Sequence, residues 1–451
     1  LSLGARLVIA VDNGITASDQ IKYCRAQGCD IIIIDHHQPG RILPRPNVLL
    51  HSTSTCAAGL AYLFSRQFLS TTSHELTNRE PTNLEHLPLV GIAVICDIIP
   101  LVGINRSFAK YGRDAVNHTR RPGLLALIQQ AGISLGSLGA YEVGFVIGPR
   151  LNAMGRLEHA VDSLRLLCTK SSNRALQLAQ LLDQTNRSRQ NLTIESVNHA
   201  LESISKQYSR DLPKLLFVSS PTYHQGIIGL IASKLVEKYS RPAIVLSQGP
   251  THTKASARSV NGFDITSHIR SASHLLIEVG GHSMAAGFTF ETSKLDELRE
   301  VLVDAAEKKV PSAILERVIK IDCQILPDQI KPSLYQAISQ FAPFGLGNPE
   351  PVFLAKNLTI NDARIVGKVG NHLKLKLTNH PDSSESRILG SRRDKSRITF
   401  PGIGFGLGSL YPQIHPDSLA DIIFNLTQDT YNGTSSLQLK IKDIHLHGPQ
   451  D

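Results

Sequence analysis

The sequence predicts a multidomain α/β protein: a parallel-sheet domain, a long connecting helix, a second α/β domain and a β-rich C-terminal domain resembling a small antiparallel barrel. Three observations predict it. Short apolar strands alternate with helical stretches through the first third, a long polar run without Gly or Pro follows, and strict two-residue alternation sets in towards the end.

The first element is a βαβ unit: LVIAV at 7–11, a polar helix near 17–27, then IIII at 31–34. Near-continuous Ile and Val runs suit parallel strands covered on both faces, so residues 7–11 are expected to be buried. The chain opens on Leu1 rather than Met, with no charged leader, and is expected to begin inside a domain. This domain is assigned to 1–165. A leucine-bearing stretch from about Asp162 to Ser209 predicts the long helix, assigned to 166–209. KLLFVSS, IIGLIASKLVEKY and PAIVLS then repeat the strand-helix-strand grammar of a second α/β domain, 210–312. In HLKLKL at 372–377, Leu373, Leu375 and Leu377 share one face and Lys374 and Lys376 the other; LQLKIK at 437–442 places Lys440 and Lys442 likewise. Asn432-Gly433 is a hairpin turn signal between IIFNL and LQLKI, and SESRILGSRRDKSR at 384–397 reads as an exposed basic loop, all within a β-rich domain at 313–451.

Composition narrows the function classes. At 451 residues the chain is too long for one core, its hydrophobic fraction is 41%, and no apolar run approaches the roughly 20 residues of a membrane-spanning helix. A net charge of +9 favours polyanionic partners. Six scattered cysteines without a CxxC pair suggest neither a zinc ribbon nor a disulfide framework, and fit a reducing cytoplasm.

Three apolar runs end in groups suited to a divalent cation: Val11-Asp12-Asn13-Gly14, Asp35-His36-His37 and Cys96-Asp97. A carboxylate beyond a strand sits at the sheet rim, where loops distant in sequence converge. Taken alone, Asp12 fits a turn equally well, and Asp97 could simply cap the segment after LVGIAVIC, which suits strand or helix. Asp35-His36-His37 is harder to explain structurally, because an acid and two imidazoles are a costly way to leave a buried strand.

VDNG, IIIIDHH and AVICDIIPLVGINR resemble the second, third and fourth motifs of the DHH phosphoesterases. GPRLNAMGR at 148–156 resembles the sequence that RecJ-type exonucleases carry near the end of that domain. HQGIIG at 224–229, SARS at 256–259 and GGHSMAAG at 280–287 resemble the accessory DHHA1 domain, and PFGLGNPEPVF at 343–353 the entrance to the RecJ oligonucleotide-binding (OB) fold. The resemblance implies a 5′-to-3′ exonuclease specific for single-stranded DNA, using Mn²⁺ or Mg²⁺ in DNA repair and recombination. It implies that Asp12, His36 and Asp97 ligate metal, that Asp35 and His37 support them, and that Arg106 braces the metal loop. Arg150, Asn152 and Arg156 would grip phosphate, guanidinium being suited to bidentate binding. Ser256, Arg258 and Ser259 would bind a backbone phosphate, Gly280 and Gly281 would let main chain approach it beside His282, and His224 and Gly226 would open a helix whose N-terminus favours an anion. Expected partners are single-stranded DNA and a single-strand-binding protein, with the chain acting as a monomer.

The family's first motif, an Asp-x-Asp pair, has no counterpart before Leu1, so these residues by themselves are expected to be impaired. Two rivals stand beside this reading: a phosphodiesterase for very short oligonucleotides, and a binding-only relative.

Overall fold

In the computed structural model, which describes residues 2, 4–40, 42–73, 83–208, 211–367, 369–379, 398–429 and 436–447, the chain forms two compact units, Leu1–Val318 and Ile319–Asp451. The basic loop at 384–397 and the Asn432-Gly433 turn lie outside the described residues.

The first unit begins with β1 (Leu7–Val11), α1 (Ser18–Ala26), β2 (Asp30–Asp35), β3 (Val48–His51) and α2 (Ala57–Ser73). The three strands form a parallel sheet in the order β1-β2-β3, with Ile31, Ile33 and Ile34 of the central strand buried. The expected burial of residues 7–11 is corrected: among the described residues β1 is an edge strand paired only to β2, and Leu7, Val8, Ile9 and Val11 are exposed.

Helices follow: α3 (Leu87–Cys96), α4 (Gly103–Asn117) and α5 (Pro122–Gln130), a π-helical turn at Glu142–Ile147, then α6 (Gly148–Leu157), α7 (Val161–Cys168) and α8 (Ser172–Gln207). LVGIAVIC is therefore helix, buried through Val90, Ile92 and Val94. α3 crosses α4 at two glycines, because a methyl group on Gly91 would lie 2.6 Å from the Gly112 main chain. The connecting helix starts later than assigned, at Ser172, whose neighbour Ser171 accepts a cap bond from the Arg174 amide. No helix among the described residues is long and apolar enough to cross a membrane, and all six cysteines are free.

β4 (Leu216–Ser220), α9 (Ile228–Tyr239), β5 (Ala243–Gln248), β6 (His252–Arg258), α10 (Ile265–Arg270), β7 (Leu276–His282), β8 (Ala285–Glu291) and α11 (Leu295–Lys309) complete this unit. Their sheet runs β4-β5-β6-β8-β7, and only β4 and β5 are parallel.

The second unit holds β9 (Cys323–Gln324), α12 (Pro332–Ser339), β10 (Phe353–Val366), β11 (His372–Asn379), β12 (Thr399–Gly404), β13 (Ser418–Asp429) and β14 (Ser436–Leu446). Strands β10-β11-β12-β14-β13 close on themselves, with register shifts in β10 and β13 that help bend the strands. Leu373, Leu375 and Leu377 point into a core with Phe353, Phe424, Leu439 and Ile441, while Lys374, Lys376 and Lys442 are exposed. The barrel is not wholly antiparallel, since β12 and β14 pair in parallel.

Candidate metal centre

The centre assembles where β1, β2 and α3 end. Asp12 follows β1 in the left-handed region at φ 66°, a conformation that Asp tolerates better than most residues, and its amide donates to the Ile34 carbonyl. Asp97 caps α3 and is followed by Ile98 at φ 54°, an uncommon state for a β-branched residue. Such outliers persist where the surroundings impose them, often at functional sites.

His36 lies between the two acids. Its Nε2 is 3.1 Å from Asp12 Oδ1 and 3.6 Å from Asp97 Oδ2. The possible ligand atoms of Asp12, His36 and His37 also fall within 4.8 Å of one another, so His37, expected only to support, shares the same reach. Among the described residues neither Asp12 nor Asp97 pairs with Lys or Arg. Burial pushes the Asp97 carboxyl above its usual range; the His36 imidazole pulls it down, and the negative charge of Asp12 pushes it further up. Convergent carboxylates around an imidazole, without a Lys or Arg partner among the described residues, suit a hard or borderline divalent ion, and Mn²⁺ accepts both donor types. Burial and the Asp97 charge push the Cys96 thiol up to about 11, and its Sγ reaches the Val143 carbonyl at 3.7 Å.

Asp35 occupies the buried end of β2, its side chain 1% exposed. Its Oδ2 accepts the Ile15 amide, and its Oδ1 accepts the amides of His36 and His37 and meets His37 Nδ1 at 2.7 Å. Burial pushes this carboxyl up, but the hydrogen bonds outweigh it and hold it below the usual carboxylate range. Asp35 thus positions the two histidines. The stability that it contributes is present above the ordinary carboxylate pKa of 3.8 and is lost as pH falls through the lower folded value. Asp35→Asn, which sets an amide donor against backbone donors, is expected to cost about 2 kcal/mol in urea unfolding at neutral pH. The difference should shrink in acid; a constant difference down to low pH would contradict this account.

Sequence reasoning missed two braces. His51 Nε2 lies 2.8 Å from the His37 carbonyl oxygen, and buried Asn105 donates to the carbonyls of Ser54 and Pro100. Asp35 and His51 are register partners across β2 and β3, a signal that strand pairing would have supplied. Arg106 is half-buried in the first turn of α4.

The residues expected to hold phosphate divide into two groups. Arg150 pairs at 2.9 Å with buried Asp183 of α8 and donates to the Val146 carbonyl, so it braces α6 instead of facing solvent. Ser259 is buried and donates inward to the Phe263 carbonyl. His224 and Gly226 precede α9 instead of opening it, and the His224 ring accepts the Gly226 amide. A methyl group on Gly226 would collide with the Arg156 main chain, and one on Gly281, at φ 148°, with the main chain at Ala285; Gly280 has open space. These are packing demands on Gly226 and Gly281.

The other group converges. Arg156 donates to the Gly226 carbonyl, while Arg258 donates to Ser256 Oγ and the Ala257 carbonyl. Burial lowers the pKa of both, and the charge of Arg156 adds to the effect on Arg258 and on Arg189 of α8. Arg189 was missed by sequence reasoning. It continues the buried face of α8 through Leu182 and Asn186, and its Nε has no partner. Among the described residues none of these three guanidiniums pairs with a carboxylate. Asn152 is exposed on α6, and His282 ends β7 close enough to influence Asp97 electrostatically.

Fold and site together define a protein of the DHH class. The profile described as DHH family, N-terminal domain matches residues 5–92, the DHHA1 domain matches 213–308 and the RecJ OB domain matches 321–443. The single-stranded-DNA-specific exonuclease RecJ of Escherichia coli (strain K12) is 30% identical over 398 residues, 82% of this chain and 68% of that protein. Its Bacillus subtilis (strain 168) counterpart is 31% identical over 98% of this chain and 54% of its own length. A crystal structure of RecJ in complex with Mn²⁺ from Thermus thermophilus superposes with a TM-score of 0.80 at 26% identity, covering 99% of this chain and 62% of that one. The chain belongs to the RecJ family, and it spans about half the length of the Bacillus relative.

Proposed function

We propose that this chain carries the nuclease core of a 5′-to-3′ exonuclease specific for single-stranded DNA, which hydrolyses phosphodiester bonds with Mn²⁺ or Mg²⁺ in DNA repair and recombination. The observation that supports it most is His36 Nε2 between the carboxylates of Asp12 and Asp97. When bound, the cation neutralises phosphoryl oxygens and activates water for attack on phosphorus. Asp12, His36 and Asp97 would hold it, Asp35 fixes the histidines, and Arg156, Arg189 and Arg258 bind a phosphate of the strand. The family likeness supplies the polarity. The same reading names a single-strand-binding protein as partner and a monomer acting in the cytoplasm.

Asp12, His36, His37 and Asp97 offer too little negative charge to hold two dications at the roughly 3.5–4 Å of two-metal sites. Nucleotide release by these 451 residues alone is therefore expected to be slow, and to rise in a form that carries an Asp-x-Asp pair. The test is Mn²⁺-dependent release from labelled single strands, duplexes and a length series. Preference for dinucleotides would favour a short-oligonucleotide phosphodiesterase, and strand binding without release in that longer form would favour a binder. Arg258→Ala is expected to weaken single-strand binding across all sequences and to lower the slope of log affinity against log salt by about 1. An unchanged slope in a salt titration would remove Arg258 from the phosphate site.

A further inference from the structure

The chain is helical without interruption from 140 to 157, but its first turns are unusual. Glu142–Ile147 is π-helical, a rare geometry found mostly as single-turn inserts, frequently at functional sites. Directly on it, Tyr141 and Phe145 stack with ring centroids 5.1 Å apart and planes at 24°. Both rings stand in solvent, Tyr141 65% and Phe145 70% exposed. Two groups of the site bracket them. On one side the π-turn packs on the end of α3: Cys96 Sγ reaches the Val143 carbonyl at 3.7 Å, one residue before Asp97, and Gly144 faces Ile95. On the other, the same helix runs on through α6 to Asn152 and Arg156, the latter about 16 Å along the axis from Phe145 at ~1.5 Å per residue.

We infer that the Tyr141–Phe145 pair is a stacking platform for a nucleobase of the single strand held between the metal centre and the arginine cluster. The inference rests on the proposed function and adds a subsite to it. A strand bound by phosphate at Arg156 and reacting beside Asp97 runs past this helix, where the ring pair is open to its bases. Flat, solvent-facing rings accept any base by its π-face, which suits an enzyme acting without regard to sequence. A duplex keeps its bases stacked on each other and leaves the platform empty, so the pair favours single strands as well as holding them. A ring pair four residues apart also steadies its own helix, and the test must separate the two roles.

The chain contains no Trp, so Phe145→Trp places a lone fluorescent reporter in the platform. The full chain, with divalent metal withheld, is titrated with a short oligothymidylate and with an abasic deoxyribose-phosphate oligomer of equal charge, binding being followed independently by anisotropy of a dye on the oligomer. Quenching of the Trp by the base-bearing oligomer and not by the abasic one is expected. Phe145→Ala should weaken oligothymidylate binding about tenfold while leaving abasic binding unchanged. A Trp unquenched in a bound complex, or equal losses for both oligomers, overturns the platform and leaves the nuclease reading standing. Base-specific quenching without Mn²⁺-dependent release, in a form with the Asp-x-Asp pair, supports the platform and overturns the nuclease. Failure of the oligothymidylate to bind the unaltered chain overturns both.

Discussion

His36→Ala is expected to abolish Mn²⁺-dependent nucleotide release, lowering the rate by about a thousandfold or more relative to the unaltered protein. Loss of the imidazole removes the donor that both Asp12 and Asp97 face, leaving two carboxylates without the group between them. Metal stabilisation of a phosphoryl transition state amounts to several kcal/mol, and each ~1.4 kcal/mol is tenfold in rate. Strand affinity should change much less, because the arginine cluster lies on α6, α8 and β6 and uses other contacts. Calorimetric titration with Mn²⁺ should show the weakened site directly. A variant that kept its rate within tenfold of the parent would remove His36 from the centre.

The second large effect concerns stability. Gly112→Val is expected to destabilise the first unit by about 3 kcal/mol, at the upper end of the range for overpacking. The added carbons would run into the Gly91 main chain, and backbone yields far less readily than the end of a side chain. Because α3 carries Asp97 at its C-terminal end, any shift that relieves the clash moves a carboxylate of the centre, so Mn²⁺ affinity should fall with stability. Gly155→Ala is the control: its methyl meets only Ala160 Cβ, at 3.6 Å, and replacing a helical Gly with Ala favours the helix. Urea midpoints that fail to separate the two variants would show that the α3–α4 crossing tolerates more than its geometry allows.

Much of this architecture is written locally. Four isoleucines before Asp35 announce a central strand, and the Gly- and Pro-free stretch announces α8, because period and punctuation are properties of neighbouring residues. The convergence of Asp12, His36 and Asp97 was also legible, since strands and helices that end together bring their next residues together. Other features depend on partners that the sequence does not name. Exposure of β1 is a matter of which strand lies beside it, and the parallel pairing of β12 with β14 is a matter of barrel closure. Arg150 suits phosphate by its type, and its pairing with buried Asp183, 33 residues further along the chain, is not written in its own neighbourhood. The same distance effect hid Arg189, which reads as one more polar residue of α8 until the fold brings the charge of Arg156 near it. Ser259 was read from its motif, and burial turned its hydroxyl inward.

The contact of Gly226 with the Arg156 main chain carries a mechanical consequence. The two backbones lie close enough to be pinned together: for the turn before α9 to swing away from α6, the bond from the Arg156 guanidinium to the Gly226 carbonyl must break. Removing the side chain in Arg156→Ala is therefore expected to raise amide exchange at the turn before α9, as read by hydrogen exchange.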